Sequence, residues 1–123
     1  MKELIGKAAV LIEALPYIQK FRNSIMVVKF GGSAMEDPEL VRSTMRDVVL
    51  LEAIGIRPIV VHGGGKAISA ELRRQDIPVR FVNGLRYTCE KTIKVVDDVL
   101  HNQVNAELVK LGRECGGRMI GLT

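Results

Sequence analysis

The chain has 123 residues, of which 47% are apolar and 26% charged, and its formal net charge is +4. This length suits one domain with a buried core and excludes two ordinary domains. No apolar run approaches the roughly 20 residues of a membrane span, and the basic residues are scattered among acidic ones without the aromatic platform of a nucleic-acid surface. We therefore expect no membrane and no nucleic acid as partner, and the lack of a signal-peptide pattern predicts a cytoplasmic protein.

An amphipathic helix is predicted over residues 3–22. Its apolar residues recur at alternating spacings of four and three and form a narrow seam on one face, made of Leu4, Ala8, Leu11, Leu15 and Ile18. Pro16 lies within this pattern and should kink the helix, because proline lacks an N–H and crowds the preceding turn. The seam would dock either on its own domain or on another subunit, and the pattern fits both.

Two short apolar runs predict strands of a parallel sheet that are buried on both faces. The first covers Ile25 to Phe30 and is interrupted only by Lys29, and the second is RPIVVH at residues 57–62. Helical patterns follow each run, so residues 25–75 have the order β-α-β-α of parallel strands with right-handed crossovers. The fold class predicted from these elements is α/β.

The helix between the two strands has recognisable ends. Asp37 is the expected N-cap and Pro38 the first helical residue. The helix should end near Ala53, since Gly55 is well placed to terminate it.

The sequence IPVRFVNGLRYT, residues 77–88, predicts a two-stranded flap. Val79 and Phe81 alternate with polar residues, and Asn83-Gly84 is a strong signal for a tight hairpin turn. Arg86 lies just past this turn, and its planar guanidinium suits a carboxylate held by two hydrogen bonds. An arginine simply exposed on a hairpin is the alternative.

Helical spacing returns over residues 90–111, in the apolar positions Ile93, Val96, Leu100, Val104, Leu108 and Leu111. The following sequence RMIGLT, residues 118–123, predicts the opening of a further buried strand. A strand without its crossover would be incomplete, and we therefore expect the chain to be the front part of a longer protein.

Both predicted strands end in consecutive glycines, Gly31-Gly32 and Gly63-Gly64-Gly65. Ligands of open α/β sheets bind beyond the carboxyl ends of the strands, and glycine loops there can turn backbone N–H groups toward an anion. The second loop also opens a helix, whose N-terminus favours negative charge. The glycines would therefore approach a phosphoryl or carboxylate oxygen; close strand–helix packing alone is the alternative.

The loops fit neither a Walker P-loop nor the G-x-G-x-x-G fingerprint. Lys29 lies two positions before Gly31, where its ammonium group could meet phosphoryl charge at the sheet edge, or simply reach solvent from the strand end. Cys89 and Cys115 have no metal-ligand spacing, and the two histidines lie far apart, so no metal site is expected.

Three segments together resemble the amino acid kinase family. VVKFGGSAM (27–35), GIRPIVVHGGGKAI (55–68) and FVNGLRYT (81–88) occur in the order and spacing found in that family, and most closely in its acetylglutamate kinases. The leading segment LIEALPYIQKFRN (11–23) resembles the N-terminal helix of the arginine-inhibited members.

The resemblance implies a three-layer α/β/α sandwich with a mainly parallel central sheet and a β-hairpin flap, incomplete at its C-terminus. It also implies a reaction in which ATP, accompanied by Mg²⁺, phosphorylates the γ-carboxylate of N-acetyl-L-glutamate in arginine biosynthesis. Phosphoryl transfer of this kind depends on positioning and electrostatic stabilisation, so the protein need supply no nucleophile.

Residue roles follow from the same resemblance. The catalytic residue would be Lys29, which would stabilise the charge of the transferring phosphoryl group. Phosphate groups would lie near the backbone of Gly31, Gly32 and Gly63. The substrate would be bound by Gly64, Gly65 and Arg86, with the arginine holding its α-carboxylate.

The resemblance also divides the chain. Residues 1–22 would be a kinked oligomerisation helix, and residues 23–123 the N-acetylglutamate-binding part of the kinase domain, without the nucleotide-binding half. We therefore expect no turnover by this chain alone. The partners implied are N-acetyl-L-glutamate, ATP, further copies in a dimer or hexamer, and L-arginine as an inhibitor.

Two alternatives stay open at this point. The chain could belong to another phosphorylating enzyme of the superfamily, such as a carbamate, aspartate or uridylate kinase. It could also be a non-catalytic module for binding or assembly, in which the N-terminal helix is the active element.

Overall fold

The computed structural model describes residues 1–122 and confirms an α/β fold with a parallel sheet. Two parallel strands, β1 (Ile25–Phe30) and β2 (Arg57–His62), pair with Ile25 opposite Arg57 and Phe30 opposite His62. A short antiparallel hairpin consists of β3 (Phe81–Val82) and β4 (Leu85–Arg86). The helices are α1 (Lys2–Phe21), α2 (Pro38–Ala53), α3 (Gly65–Arg74), α4 (Glu90–Asp98) and α5 (Ala106–Glu114). A 3₁₀ turn covers Gly32–Met35, and a π-helical segment, Val99–Asn105, joins α4 to α5.

The bounds of β1, α2 and β2 are the predicted ones, and the ends of α2 explain why. The Asp37 carboxylate accepts hydrogen bonds from the backbone N–H groups of Glu39 (2.9 Å) and Leu40 (3.4 Å), two donors that lack a partner within the helix. Gly55, just past the other end, has φ +92°, a backbone conformation that favours glycine. The predicted start signal and the predicted end signal of α2 are thus both confirmed.

The hydrophobic core lies on one face of the sheet. Phe30 of β1 packs there with buried residues from helices α2 to α5 and from the π-helical segment, namely Met45, Val48, Ile68, Leu72, Val95, Val99, Val104 and Leu108. Three of the buried side chains, Met45, Leu72 and Val99, are completely inaccessible to solvent. This helical layer positions the loops that follow β1 and β2.

The prediction that both strands are buried on both faces is wrong for residues 1–122. Along β1 and β2 the side chains alternate between the core and an exposed face. Ile25 and Val27 are each 65% exposed, and Ile59 and Val61 lie on the same open face. The reason is that the described helices cover only the opposite face, so one helical layer of the expected three-layer sandwich is present in this part of the chain.

Helix α1 runs unbroken from Lys2 to Phe21 with Pro16 inside it. Just after α1, the Asn23 N–H donates to the carbonyl of Gly55, in the loop before β2, at 2.7 Å. None of the α1 residues is buried, and Leu11 in the predicted seam is 72% exposed. The seam is therefore not buried against the rest of residues 1–122, and only Ile18 near its end is partly covered. Within the same range, none of the helices combines the length and hydropathy needed to span a bilayer.

The helical prediction for residues 90–111 is confirmed, but its buried face is shifted. The buried positions are Thr92, Val95, Val99, Val104, Leu108 and Gly112. The step from Val99 to Val104 is five residues, as one π turn requires. This step explains why Ile93, predicted for the apolar seam, is half exposed whereas Val104 and Leu108 are buried.

The predicted strand at residues 118–123 is not formed by its described residues, 118–122. Residues 117–122 are irregular and fold back along α5, and Thr123 lies outside the described residues. The Gly117 N–H donates to the Gly112 carbonyl (2.9 Å), while the Met119 carbonyl accepts from Arg113 Nε (3.0 Å). These partners come from α5 and not from β2, so the segment does not extend the sheet.

Candidate functional site

The two glycine loops meet at the carboxyl edge of the sheet. The Gly63 N–H donates to the Phe30 carbonyl at 2.9 Å, which continues the pairing one residue beyond the strands. Gly31 then packs directly against Gly63, because a Cβ atom built on Gly31 would lie 3.6 Å from the Gly63 nitrogen. The two loops are thus adjacent, as their positions after parallel strands predict.

Each glycine of the second loop has a different environment. Gly63 faces Gly31, whereas Gly64 faces the start of the π segment: an added Cβ would be 2.7 Å from Leu100 Cδ2 and 3.6 Å from Val104 Cγ2. Around Gly65, no atom of residues 1–122 lies within 4 Å of such a Cβ. A side chain at position 64 would therefore displace the end of Leu100, while Gly65 leaves open space at the first turn of α3.

A cavity of about 880 Å³ opens beside these loops. The cavity is bordered by the first turns of α2 and α3, by the hairpin, and by residues of the π segment and α5. Its lining residues include Gly32, Ser33, Glu36, Gly63, Gly64, Gly65, Lys66, Ser69, Phe81, Arg86 and Glu107. The backbone N–H groups at the start of α3 have no partner within their helix and border this space, which suits an anionic ligand.

Arg86 reaches from the hairpin to the second glycine loop. Both central turn residues have positive φ, Asn83 at 49° and Gly84 at 78°, as the predicted tight turn requires. Arg86 Nη2 donates to the Gly65 carbonyl at 2.9 Å and to Ser69 Oγ at 2.8 Å. Its guanidinium carbon lies 4.8 Å from the centroid of the Phe81 ring, the residue paired with it across the hairpin.

The other terminal nitrogen of Arg86, Nη1, is buried and has no hydrogen-bond acceptor within residues 1–122. A buried donor on a charged group is costly to leave without an acceptor. Arg86 lines the cavity, and because solvent does not reach Nη1, a ligand oxygen would contact this nitrogen only after a small shift of the side chains around it. The guanidinium is thus bound to the protein through Nη2, and Nη1 is the donor left for a ligand.

An ion pair crosses the rim of the cavity. Lys66 Nζ lies 2.5 Å from Glu36 Oε1, joining the first turn of α3 to the end of the 3₁₀ turn. Because the lysine side chain is 77% exposed, solvent screens the pair and its contribution to stability is small. Lys66 can therefore leave Glu36 at little cost when an anion binds nearby.

Lys29 lies at the same edge but not in the cavity. Its side chain is on the open face of the sheet, opposite in direction to Phe30, and it pairs with Val61 across the two strands. The structure therefore brings Gly32, Gly63, Gly64, Gly65 and Arg86 together around one space. Gly31 lies behind them against Gly63, and Lys29 lies on the other side of the sheet edge.

The His62 ring makes hydrogen bonds to the second glycine loop and to the start of α5. Its Nδ1 lies 3.0 Å from the Gly63 carbonyl oxygen, which can only accept, so Nδ1 carries the proton. Nε2 is then the acceptor for the Asn105 side-chain amide at 3.3 Å. The same amide nitrogen is 3.4 Å from the Leu122 carbonyl, so one side chain links the glycine loop to the C-terminal segment.

Two side chains that do not line the cavity have shifted pKa values. The pKa of the Glu71 carboxyl is lowered to about 2, chiefly by hydrogen bonds from Arg74 and then Gln75. The pKa of the exposed Cys89 thiol is lowered first by the Thr92 hydroxyl and then by backbone N–H groups. Both cysteines are free thiols in the described part of the chain.

Ser69 is the functional candidate that the sequence analysis missed. It occurs four residues after Gly65, so one helical turn places both on the same side of α3. The sequence shows this spacing. It does not show that the Ser69 hydroxyl contacts Arg86, which lies on the hairpin 17 residues further along the chain.

The profile of the amino acid kinase family matches residues 24–120 of the chain. Acetylglutamate kinase from Thermoanaerobacter sp. (strain X514) is 52% identical over 119 residues, and acetylglutamate kinase from Akkermansia muciniphila is 47% identical over 119 residues. Each alignment covers 97% of this chain and 40% of the relative. The chain thus spans about 40% of the length of the curated relatives it matches.

A solved structure shows the same fold. It is that of N-acetylglutamate synthase from Neisseria gonorrhoeae complexed with coenzyme A and N-acetyl-glutamate, with a TM-score of 0.64 and 21% identity. The match covers 88% of this chain and 24% of the synthase chain. At this identity the likeness concerns the fold alone.

The different environments of two adjacent glycines generate a stability prediction. Gly64→Ala should lower the free energy of unfolding by about 1–3 kcal/mol, because its methyl group forces Leu100 to move within a packed core. Gly65→Ala is the matched control and should change it by less than about 1 kcal/mol, since its methyl group meets open space at a helix start. Urea denaturation of both variants measures the difference, and equal losses would contradict the packing role of Gly64.

Proposed function

The chain belongs to the amino acid kinase family, and on that premise we propose that it forms the N-acetyl-L-glutamate-binding part of an acetylglutamate kinase. In the proposed reaction, an oxygen of the substrate's γ-carboxylate attacks the γ-phosphorus of ATP, an acyl phosphate forms and ADP leaves. The observation that carries the proposal is the convergence of the hairpin arginine and the second glycine loop on one cavity. The reaction would take place in the cytoplasm.

Arg86 is proposed to bind the α-carboxylate of the substrate. Its buried Nη1 lacks an acceptor within residues 1–122, and a carboxylate oxygen is the acceptor that pairs best with a guanidinium. The backbone at Gly64 and Gly65 would contact the rest of the substrate, since both border the cavity at the start of α3.

The phosphate groups are proposed to lie at the edge formed by the two loops. Gly31 and Gly63 are in contact there, and Gly32 turns the chain with φ +67° into the 3₁₀ turn. Lys29 would approach the transferring phosphoryl group from the open face of the sheet, where its ammonium is exposed. A fixed cation at that position stabilises charge that develops during transfer.

Mg²⁺ would enter as part of the ATP complex. Among residues 1–122 no group of three histidine, cysteine or acidic side chains is placed to hold a metal ion. Glu36, an acidic residue of the cavity rim, is already paired with Lys66. We therefore assign the ion no ligand in this chain, and the roles proposed for Lys29, Arg86 and the glycines do not involve it.

Helix α1 is proposed to be an assembly element. Most of its apolar seam is exposed and only Ile18 is partly covered, although burying the seam against another helix would be favourable. A second copy of the same helix offers a matching seam, and pairing of this kind would link copies into a dimer or larger ring. L-arginine as a feedback inhibitor is proposed for the same assembled protein.

Removal of the hairpin guanidinium tests the substrate assignment. Arg86→Ala should weaken binding of N-acetyl-L-glutamate by about 1.5–3 kcal/mol, the value of a hydrogen bond to a charged group. Isothermal titration calorimetry on the protein as its gene encodes it measures the change, with Arg80→Ala as control because Arg80 stacks on Tyr87 outside the cavity.

Two results would count against this assignment. Unchanged affinity in Arg86→Ala would remove Arg86 from the site. Thermal stabilisation by aspartate or uridylate, but not by N-acetyl-L-glutamate, would favour another enzyme of the superfamily, because a ligand stabilises only a protein that binds it.

The catalytic assignment of Lys29 predicts a specific kinetic pattern. Lys29→Ala should lower kcat by orders of magnitude while changing the KM for N-acetyl-L-glutamate little, because its charge acts on the transferring group and not on the bound substrate. Steady-state assays on the protein as its gene encodes it compare this variant with Lys94→Ala, a substitution of an exposed lysine of α4. A raised KM at normal kcat would make Lys29 a binding residue only.

The assembly role of α1 is tested by disrupting one face at a time. Leu11→Lys places a charge in the seam and should shift sedimentation of the protein to a smaller species. Val10→Lys is the matched control, because Val10 is similarly exposed but lies on a different face of the helix. An unchanged sedimentation coefficient in Leu11→Lys, and equally after deletion of residues 1–22, would exclude this role.

A further inference from the structure

Ser69 occupies the centre of a small hydrogen-bond network on α3. Its hydroxyl donates to the Gly65 carbonyl at 2.9 Å and accepts from Arg86 Nη2 at 2.8 Å. The same Arg86 nitrogen also donates to the Gly65 carbonyl at 2.9 Å. Both protons of Nη2 are therefore used by α3, one by a backbone oxygen and one by a hydroxyl.

This network determines which way the guanidinium turns. With Nη2 held by two acceptors and the Phe81 ring 4.8 Å from the guanidinium carbon, rotation about the last side-chain bonds is restricted. Nη1 is then the terminal nitrogen left without an acceptor within residues 1–122. If the Ser69 bond is lost, the group keeps only the Gly65 contact on that side and can rotate.

We propose that Ser69 is a positioning residue: its hydroxyl holds the Arg86 guanidinium so that Nη1, and not Nη2, faces the carboxylate of the bound ligand. The inference rests on the proposed function, which makes Arg86 a carboxylate contact. It goes beyond that function because Ser69 itself touches Arg86 and Gly65 and need not touch the ligand. Its effect on binding passes entirely through the orientation of the arginine.

The chemistry of serine in a helix supports this role. A serine whose hydroxyl bonds the carbonyl four residues earlier gains little helix stability, and alanine is the better helix former. Ser69→Ala is therefore expected to fold with an unchanged or raised melting temperature. A purely structural role would predict the opposite, a lowered melting temperature without a specific effect on the ligand.

The experiment is a double-mutant cycle on the protein as its gene encodes it, with N-acetyl-L-glutamate as the probe. Ser69→Ala should raise Kd by about 5- to 10-fold, less than Arg86→Ala does, because the guanidinium is still present but is no longer held in one orientation. In kinetic assays the change should appear in KM with kcat nearly unchanged. Ser69→Thr, which keeps the hydroxyl, should restore binding, and Ser43→Ala on an exposed position of α2 is the control.

The decisive variant combines both substitutions. If Ser69 acts through Arg86, Arg86→Ala with Ser69→Ala should bind the probe no more weakly than Arg86→Ala alone. Additive losses would overturn the proposal, because they would mean that Ser69 acts independently.

Failures of the two proposals are distinguishable. A normal Kd in Ser69→Ala together with a weakened Kd in Arg86→Ala overturns the positioning role and leaves the carboxylate contact intact. A normal Kd in Arg86→Ala overturns both.

Discussion

The parallel, in-register pairing of β1 and β2 is the constraint on which the rest of this structure depends. Because Phe30 lies opposite His62, the chain leaves both strands at the same level, and each strand is followed at once by glycines. Gly31 and Gly63 lie next to each other there, so the backbones of the two loops share one edge. A slip of one residue would place Phe30 on the open face and separate the loops. The cavity beside α3 therefore depends on a register set by two six-residue strands.

The hairpin adds a guanidinium that is held by hydrogen bonds beside the second glycine loop. Its tight turn places Arg86 opposite Phe81, so the aromatic ring and α3 hold the guanidinium from two directions. Hydrogen bonds to Gly65 and Ser69 use one nitrogen, and the buried Nη1 has no acceptor within residues 1–122. The guanidinium is thus fixed before any ligand arrives, and a group held in this way loses less entropy on binding.

Local signals in the sequence were sufficient for most of the fold. β-branched runs, the Asp37-Pro38 helix start and the Asn83-Gly84 turn each act over a few residues, and each element appears where these signals predict it. Features that depend on distant neighbours were not predictable in this way. The open sheet face, the irregular path of residues 117–122 and the Ser69–Arg86 contact are decided by which parts of the chain meet, and Lys29 follows the alternation of its strand away from the cavity.

The π-helical segment has a consequence for which sequence changes this protein can tolerate. Its five-residue step lets Val99 and Val104 both face the core, and it places Leu100 and Val104 against Gly64. Removing one residue between positions 99 and 105 would turn the five-residue step into the four-residue step of an ordinary α-helix, so Val99 and Val104 would still face the core together. Leu108 and Gly112 would stay on the core face. The helix can therefore lose one residue within the π segment, whereas a single-residue insertion or deletion within α4 or α5 would turn the residues beyond it by about 100° and loosen the packing behind the second glycine loop.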